Sequence, residues 1–254
     1  MNVLFTICGR AGSKGFKNKN LKELNGIPLV YYTLAAIKGF QDQYNDGKVY
    51  VALNTDSEEL FQVVKKQEIL NEIIYVERKP ELGGDMVAKV DVIRDTFLST
   101  YNDIFPDVVI DLDITSPMRS VADIANVFNE FNTNPKFDVV FSVVESRRSP
   151  YFNMVEGKDD GFFHKICDSK FTARQQAPKC YEMNASIYAY SPDFLKNEIE
   201  RTILDYNCGV SMMKDYLVLD IDSEEDFCMM SMLHNFYIDS DSGIKEVYNL
   251  AKKF

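Results

Sequence analysis

Two groups of residues, near opposite ends of the chain, have the types and spacing for phosphate chemistry. At the amino end, Cys8-Gly9-Arg10-Ala11-Gly12-Ser13-Lys14-Gly15 follows a short apolar run. Glycines there would let backbone N–H groups approach an anion, and Arg10, Lys14, Lys17, Lys19 and Lys22 gather before the first acidic residue. Such a patch suits a small polyanion such as a triphosphate, although a solvated cationic loop would have the same composition. The spacing is not Gly-x-Gly-x-x-Gly, which weakens a dehydrogenase reading, and Phe16 follows Gly15 where a phosphate-binding P-loop needs Lys then Ser or Thr. At the other end, Asp220 and Asp222 close the apolar run 216–220. Read as a strand, that run points both carboxylates to one side. Hard oxygen ligands in that pattern suit Mg²⁺, with waters and a substrate phosphate completing the shell, and the ion would neutralise a phosphoryl group and orient an attacking hydroxyl. The competing role for Asp222 is to cap a helix beginning near Ser223. Asp111 and Asp113 repeat the spacing at the end of another predicted strand. His164 and His234 have no visible partner that would make a nucleophilic triad.

The elements that must position these residues are read from periodicity. Apolar runs at 3–7, 49–53, 73–76, 108–112 and 139–144 alternate with helical patterns at 29–38 (opened by Pro28), after Thr55-Asp56-Ser57-Glu58, at 87–98 and at 121–131. Thr55 and Glu58 have capping-box spacing. Continuous apolar strands between amphipathic helices predict an α/β, doubly wound, mostly parallel sheet covered on both faces. Ligands of such sheets bind beyond the carboxyl ends of the strands, where the glycine-rich loop sits. The rhythm breaks from about 145 to 181, a stretch with Tyr151, Phe152, Phe162 and Phe163 and no good helix; an excursion of that length is usually functional or an interface, and it is read as a β-rich flap. Strands are expected again at 186–190 and 216–220. Met229, Met230 and Met232 then lie on a predicted helix, as core filler.

Composition narrows the classes. With 254 residues, 46% of them hydrophobic, one domain spanning 1–254 with the flap as an appendage is expected. A formal charge of −11 excludes a nucleic-acid partner as the default. No apolar run reaches the roughly 18 residues that cross a bilayer, and the opening MNVLFTICGRAGSKG lacks the pattern of a signal peptide, so a cytoplasmic protein without a membrane partner is expected. Five scattered cysteines without a Cys-x-x-Cys pair read as reduced thiols rather than a disulfide or zinc framework.

The segment GRAGSKGFKNKNLKELNGIPL (9–29) strongly resembles the opening signature of the acylneuraminate cytidylyltransferase family, and RKPELGGD (78–85), TSPMR (115–119), RQQAP (174–178), NASIY (184–188) and DID (220–222) resemble its later motifs in order. The resemblance implies a nucleotide-diphospho-sugar transferase-like fold, a dimerisation flap that reaches toward a partner subunit, and a divalent metal, Mg²⁺ or another. It places Gly9, Arg10, Gly12, Ser13, Lys14, Lys19, Asn20, Arg78 and Asp85 at the nucleotide. Arg10, Lys14 and Lys19 would face the triphosphate, and Asn20 and Arg78 the cytidine portion. Arg10, Lys14, Asp220 and Asp222 form the catalytic set, with Asp220 and Asp222 on the metal. Asp113, Thr115, Ser116, Arg174, Asn184 and Tyr188 fall at the sugar, Arg174 facing its carboxylate. The choice of cytosine rests on the resemblance alone.

The chain departs from that pattern at two places. Asp113 stands where the familiar sequence, LQPTSP, has a sugar-contacting glutamine, so it would meet a different sugar substituent or help to hold metal. Tyr181-Glu182-Met183-Asn184-Ala185 replaces a basic and proline-containing run ending in Asn-Gly. Both point away from N-acetylneuraminate toward a relative such as legionaminic acid. The expected reaction joins CTP to the anomeric hydroxyl of an acidic nine-carbon (nonulosonic) sugar in a homodimer, with Asp113 as one conceivable base. Arg147 and Arg148 are expected to face solvent. The rivals are a pyrophosphorylase of the same architecture acting on a sugar 1-phosphate, a metal-dependent glycosyltransferase, and a non-catalytic nucleotide-binding regulator.

Overall fold

The structure is a computed structural model that describes residues 1–12, 15–70 and 72–254. The predicted site residues Ser13 and Lys14 therefore lie outside the described residues. In chain order the elements are β1 (Val3–Gly9), β2 (Glu23–Leu24), β3 (Ile27–Pro28), α1 (Leu29–Gln43), β4 (Val49–Thr55), α2 (Glu58–Lys65), β5 (Ile74–Glu77), α3 (Lys89–Ile104) and β6 (Val108–Leu112). They continue with α4 (Val121–Thr133), β7 (Val139–Glu145), β8 (Val155–Gly157), β9 (Phe163–Lys165), β10 (Tyr181–Tyr190), α5 (Pro192–Lys196), β11 (Cys208–Met212), α6 (Glu224–Ser240) and α7 (Ser242–Ala251).

Seven strands form the main sheet in the order β11-β7-β10-β6-β1-β4-β5. β1 runs parallel to both β4 and β6, whereas β10 is inserted antiparallel between β6 and β7. Because side chains alternate along a strand, Val3, Phe5 and Ile7 of β1 enter one core with Leu34 and Ile37 of α1, while Leu4 enters the other with Ile93 and Phe97 of α3. Both faces are thus covered, which is why β1 and β6 read as unbroken apolar runs. Among the described residues no helix is long and apolar enough to cross a membrane.

Three local expectations need correction. The segment 216–220 is not a strand: a 3₁₀ turn covers Asp215–Leu217, Leu217 is buried, and Tyr216 stacks on Tyr237 of α6 at 3.6 Å between ring centres. The edge position is taken instead by β11, parallel to β7. Ser57, not Thr55, caps α2 by accepting from Leu60 N at 3.2 Å, while Thr55 Oγ1 accepts from Ser57 N at 2.9 Å. Of the three methionines on α6 only Met230 is core; Met229 and Met232 are exposed.

Between β7 and β10 the chain forms the antiparallel β8–β9 hairpin, which carries the exposed Phe162 and Phe163, and otherwise consists of turns and a short 3₁₀ segment at Arg174–Gln176.

Candidate active site

The carboxyl ends of β1, β5 and β6 open onto a cleft of about 240 Å³. Its lining brings together Arg10, Lys19, Asn20, Arg78, Asp85, Asp113, Thr115, Asp220 and Asp222, residues drawn from both ends of the sequence. β1 carries the chain to Gly9, where any side chain would collide with Leu60: an added Cβ would stand 2.3 Å from Leu60 Cδ2. Gly12 adopts φ +70°, a left-handed conformation that suits glycine. The Ala11 N–H is already used, donating to Asp56 Oδ1 at 2.7 Å. Asn20 Nδ2 donates to Arg10 O at 3.2 Å and ties the two ends of the loop together.

The loop meets the distal carboxylates directly. Lys19 Nζ donates to Asp222 Oδ1 at 2.6 Å and to Ile221 O at 3.1 Å, and a Cβ on Gly15 would stand 3.0 Å from Asp222 O. The two aspartates sit at this position without a strand, because Ile221 N donates to Thr115 O at 2.9 Å and Ser223 caps α6 in a capping box with Asp226. Ser223 therefore fills the capping role that competed for Asp222, and the Asp222 carboxylate is left 71% exposed. Burial, and then the charges of Asp222 and Asp113, hold the Asp220 carboxyl above its usual range, a repulsion that a cation between the carboxylates would relieve. On the loop side Arg10 pairs with Asp85. Arg78 is buried, with Nε donating to Asn54 Oδ1 at 2.9 Å, and burial lowers its pKa.

The opposite wall contains residues that sequence reasoning missed. Lys89, the first residue of α3, places Nζ 2.7 Å from Asp111 Oδ2 and 2.7 Å from Asp113 Oδ2. Burial alone would lower the Lys89 pKa, but the Asp111 and Asp113 carboxylates outweigh it and hold the ammonium charged. Asp113 Oδ1 also accepts from Thr115 N at 3.0 Å and Thr115 Oγ1 at 2.8 Å. Burial opposes ionisation of Asp113, yet Lys89 and Thr115 prevail and its carboxyl falls well below the usual range. A base so depressed is a poor proton acceptor near neutrality, which removes the reason to treat Asp113 as the general base. Asp111 lies beneath, fully buried, accepting from Thr6 Oγ1 at 2.8 Å. Arg119, the largest fully buried side chain, donates to Asp113 O, Ser116 O and, at 3.1 Å, Ser186 Oγ. The signal for Lys89 was available: two acidic residues closing one apolar strand need a cation nearby if both are to stay ionised.

The remaining expected sugar contacts are dispersed. Ser116 is buried and contributes its carbonyl to Arg119. Tyr188 stands behind Lys89, whose Nζ is 5.9 Å from its ring centre, and burial raises its hydroxyl to about 12. Asn184 is buried 2% exposed, with both ends of its amide used: Oδ1 accepts from Ser142 Oγ at 2.6 Å and Nδ2 donates to Leu217 O at 3.0 Å. It ties β10 to β7 and to the chain before Asp220. Arg174 is exposed in a different groove, with Arg148 and Lys179, and donates to Ser146 O at 2.8 Å. Arg147 is exposed and pairs with Asp215. His234 is buried against Tyr32, and burial lowers its pKa to about 4, consistent with a structural role.

Comparison with known proteins identifies the family. The model of the cytidylyltransferase family matches residues 4–204. A post-translational flagellin modification protein B of Campylobacter coli is 37% identical over 91% of this chain and 94% of its own length. A CMP-N,N'-diacetyllegionaminic acid synthase of Campylobacter jejuni is 36% identical over the same shares. Among solved structures, a CMP:2-keto-3-deoxy-manno-octonic acid synthetase complexed with CTP is similar in fold, with a TM-score of 0.66 at 15% identity over 93% of this chain and 99% of that one. With the glycine-rich loop, the cations and the paired carboxylates around one cleft, the chain belongs to the cytidylyltransferase family.

Proposed function

We propose that this enzyme couples CTP to the anomeric hydroxyl of a nonulosonic acid of the legionaminic type, giving the CMP-sugar and pyrophosphate. The observation that carries the reading is the junction of Lys19 and Gly15 with Asp222, which brings the cationic loop and the distal carboxylates to one place, where a triphosphate would meet both. The choice of acceptor is supported by the diacetyllegionaminic relative, similar over nearly the whole of both chains, and by Asp113 in place of a glutamine.

In the reaction the anomeric oxygen attacks the α-phosphorus in line, the Pα–O–Pβ bond breaks, and the hydroxyl proton leaves to water. Arg10 and Lys19 neutralise the departing pyrophosphate, and Lys14 belongs to the same set by its place in the loop. Gly9 and Gly12 shape the turn, and Ser13 belongs to the nucleotide set by its place in the sequence; Asn20, Arg78 and Asp85 flank the nucleotide. Asp220 and Asp222 would hold a divalent cation, Mg²⁺ by the hardness of their oxygens, with phosphate and water as further ligands. When bound, that ion supplies charge neutralisation at the α-phosphoryl group. Most of the rate enhancement is then positioning and preorganised charge. Residues 1–254 act as one catalytic domain in the cytoplasm, and the flap at about 145–181 pairs it into a homodimer, with Arg174 supplied to the sugar from the flap side.

The test is pyrophosphate release from CTP with N,N'-diacetyllegionaminic acid, for the wild type and for Asp222→Ala. Asp222 is exposed and outside every helix and strand, so the variant keeps its unfolding temperature while turnover falls by at least about 1,000-fold. Wild-type-like release by D222A sinks the metal assignment. Release with a hexose 1-phosphate and none with any nonulosonic acid identifies a pyrophosphorylase instead, and CTP binding without turnover a regulator.

A further inference from the structure

Resting on that reaction, we infer that Lys89 and Asp113 form a fixed donor and acceptor pair that grips one hydroxyl of a substrate, which makes Lys89 a specificity-determining residue. An ammonium has three N–H donors; one donates to Asp113 Oδ2 at 2.7 Å, while Asp111 Oδ2 stands at the same 2.7 Å as a charge partner without a hydrogen bond. The side chain is 35% exposed and lines the cleft, so an N–H is left for a ligand. A carboxylate offers about four acceptor sites. Asp113 commits two on Oδ1 to Thr115 and one on Oδ2 to Lys89, and its side chain is 20% exposed. One lone pair on Oδ2 therefore stands beside one free N–H on Nζ.

A donor and an acceptor so close discriminate by chemistry. A carboxylate placed there would be repelled by Asp113, an ammonium would be repelled by Lys89, and an apolar group would leave the free N–H and the free lone pair unpaired. A hydroxyl satisfies the pair, accepting from Lys89 and donating to Asp113. Neither partner needs to reorganise, since Thr115 and the Arg119 guanidinium, which bonds the Asp113 carbonyl, hold the wall in place. A site built to hydrogen-bond a hydroxyl rejects the analogue that lacks it far more strongly than an apolar pocket rejects a missing methylene.

Both substrates of the proposed reaction carry hydroxyls, the acid sugar on its ring and side chain and CTP on its ribose, and the test separates them. N,N'-diacetyllegionaminic acid and its singly deoxygenated analogues, and CTP with 2'-deoxy-CTP and 3'-deoxy-CTP, are compared in kcat/KM for the wild type, Lys89→Met and Lys89→Gln. The wild type is expected to discriminate against one analogue by about 10- to 100-fold, and both variants to lose that discrimination while keeping it against the others. Loss confined to an acceptor analogue assigns the hydroxyl to the sugar; loss confined to a deoxy-CTP assigns it to the ribose. A uniform fall in kcat with discrimination unchanged shows a purely structural Lys89 and overturns the inference. So does a wild type that discriminates against none of the analogues, a result that needs no variant to fold. If wild-type enzyme releases no pyrophosphate with any nonulosonic acid, the proposed reaction itself is wrong and the pair has no such substrate to grip.

Discussion

Arg119 holds the wall on which Asp113 stands, and it does so without contacting the cleft. Its guanidinium is 0% exposed and donates to two main-chain carbonyls, those of Asp113 and Ser116, and to Ser186 Oγ. Burial lowers its pKa to about 10, and the charges of Asp113 and Asp111 oppose that drop, so it remains a cation at neutral pH. Together with Lys89 it balances the two aspartates, and the low-dielectric floor carries no net charge. Replacing Arg119 with Met strands the carbonyls and leaves Asp111 and Asp113 with one cation between them, a loss of about 3 kcal/mol by the cost of breaking a buried ionic arrangement. Lysine cannot reproduce the planar fork, so Arg119→Lys should recover only part of the loss. Urea unfolding followed by circular dichroism measures both; midpoints within error of the wild type would show that the guanidinium is dispensable to the wall.

At the level of elements, what could be read in advance was whatever repeats with a regular period. Runs such as Val108-Val109-Ile110-Asp111-Leu112 sit in the sheet because they are covered on both faces, and 216–220 offered the same signal. That segment failed to pair because its hydrogen bonds go elsewhere: Leu217 N donates to Lys214 O at 2.9 Å and Ile221 N to Thr115 O at 2.9 Å, so tertiary contacts overrode propensity. The site residues that were legible, Arg10, Lys19, Asp220 and Asp222, lie in dense local clusters of like charge. A cation beside Asp111 and Asp113 could be inferred, but not that it is Lys89, because Asp113 is 24 residues away and the pairing exists only once the start of α3 meets the end of β6 in the fold. The irregularity of β10 carries a consequence of its own. Between Met183 and Tyr188 the register with β7 shifts, and Ala185 sits there at φ +52°, a conformation that costs an L-residue about 1–2 kcal/mol. The family pattern has glycine at this position, and the strained alanine is a local defect with a simple remedy. Part of that strain is offset by the extra freedom glycine has in the unfolded chain, so Ala185→Gly should raise the unfolding temperature by about 2–4 °C. A lower temperature on calorimetry would mean that the methyl group contributes more through packing than it costs in backbone strain.

On the scale of the molecule, an acidic chain of net charge −11 repels its copies at long range, so a dimer needs an apolar contact strong enough to overcome that repulsion. The β8–β9 hairpin offers exposed apolar side chains for such a contact. Phe162 and Phe163 are 69% and 75% exposed, and Met154, Val155 and Ile166 of the same hairpin are exposed as well. Neighbouring exposed aromatics on a projecting hairpin are an unusual feature for a monomer, since a patch of this kind normally marks an interaction site. A stable interface buries about 800 Å² from each partner, more than a hairpin tip supplies, so in the proposed dimer the flap would lie along the partner's surface rather than touch it at a point. The proposed dimer would also explain why Arg174 lines a groove with Arg148 and Lys179 and not the cleft of its own chain: its sugar would be the one bound by the neighbouring subunit. Replacing Phe162 and Phe163 together with Ser should therefore leave the sheet intact by circular dichroism, convert a dimer into a monomer by sedimentation equilibrium, and raise the acceptor KM with little change in the KM for CTP. Each arm can fail separately. A wild type that sediments as a monomer removes the flap as an interface. A dimer broken by the substitutions with the acceptor KM unmoved would show that each cleft is complete within one chain, and that Arg174 takes no part in holding the sugar.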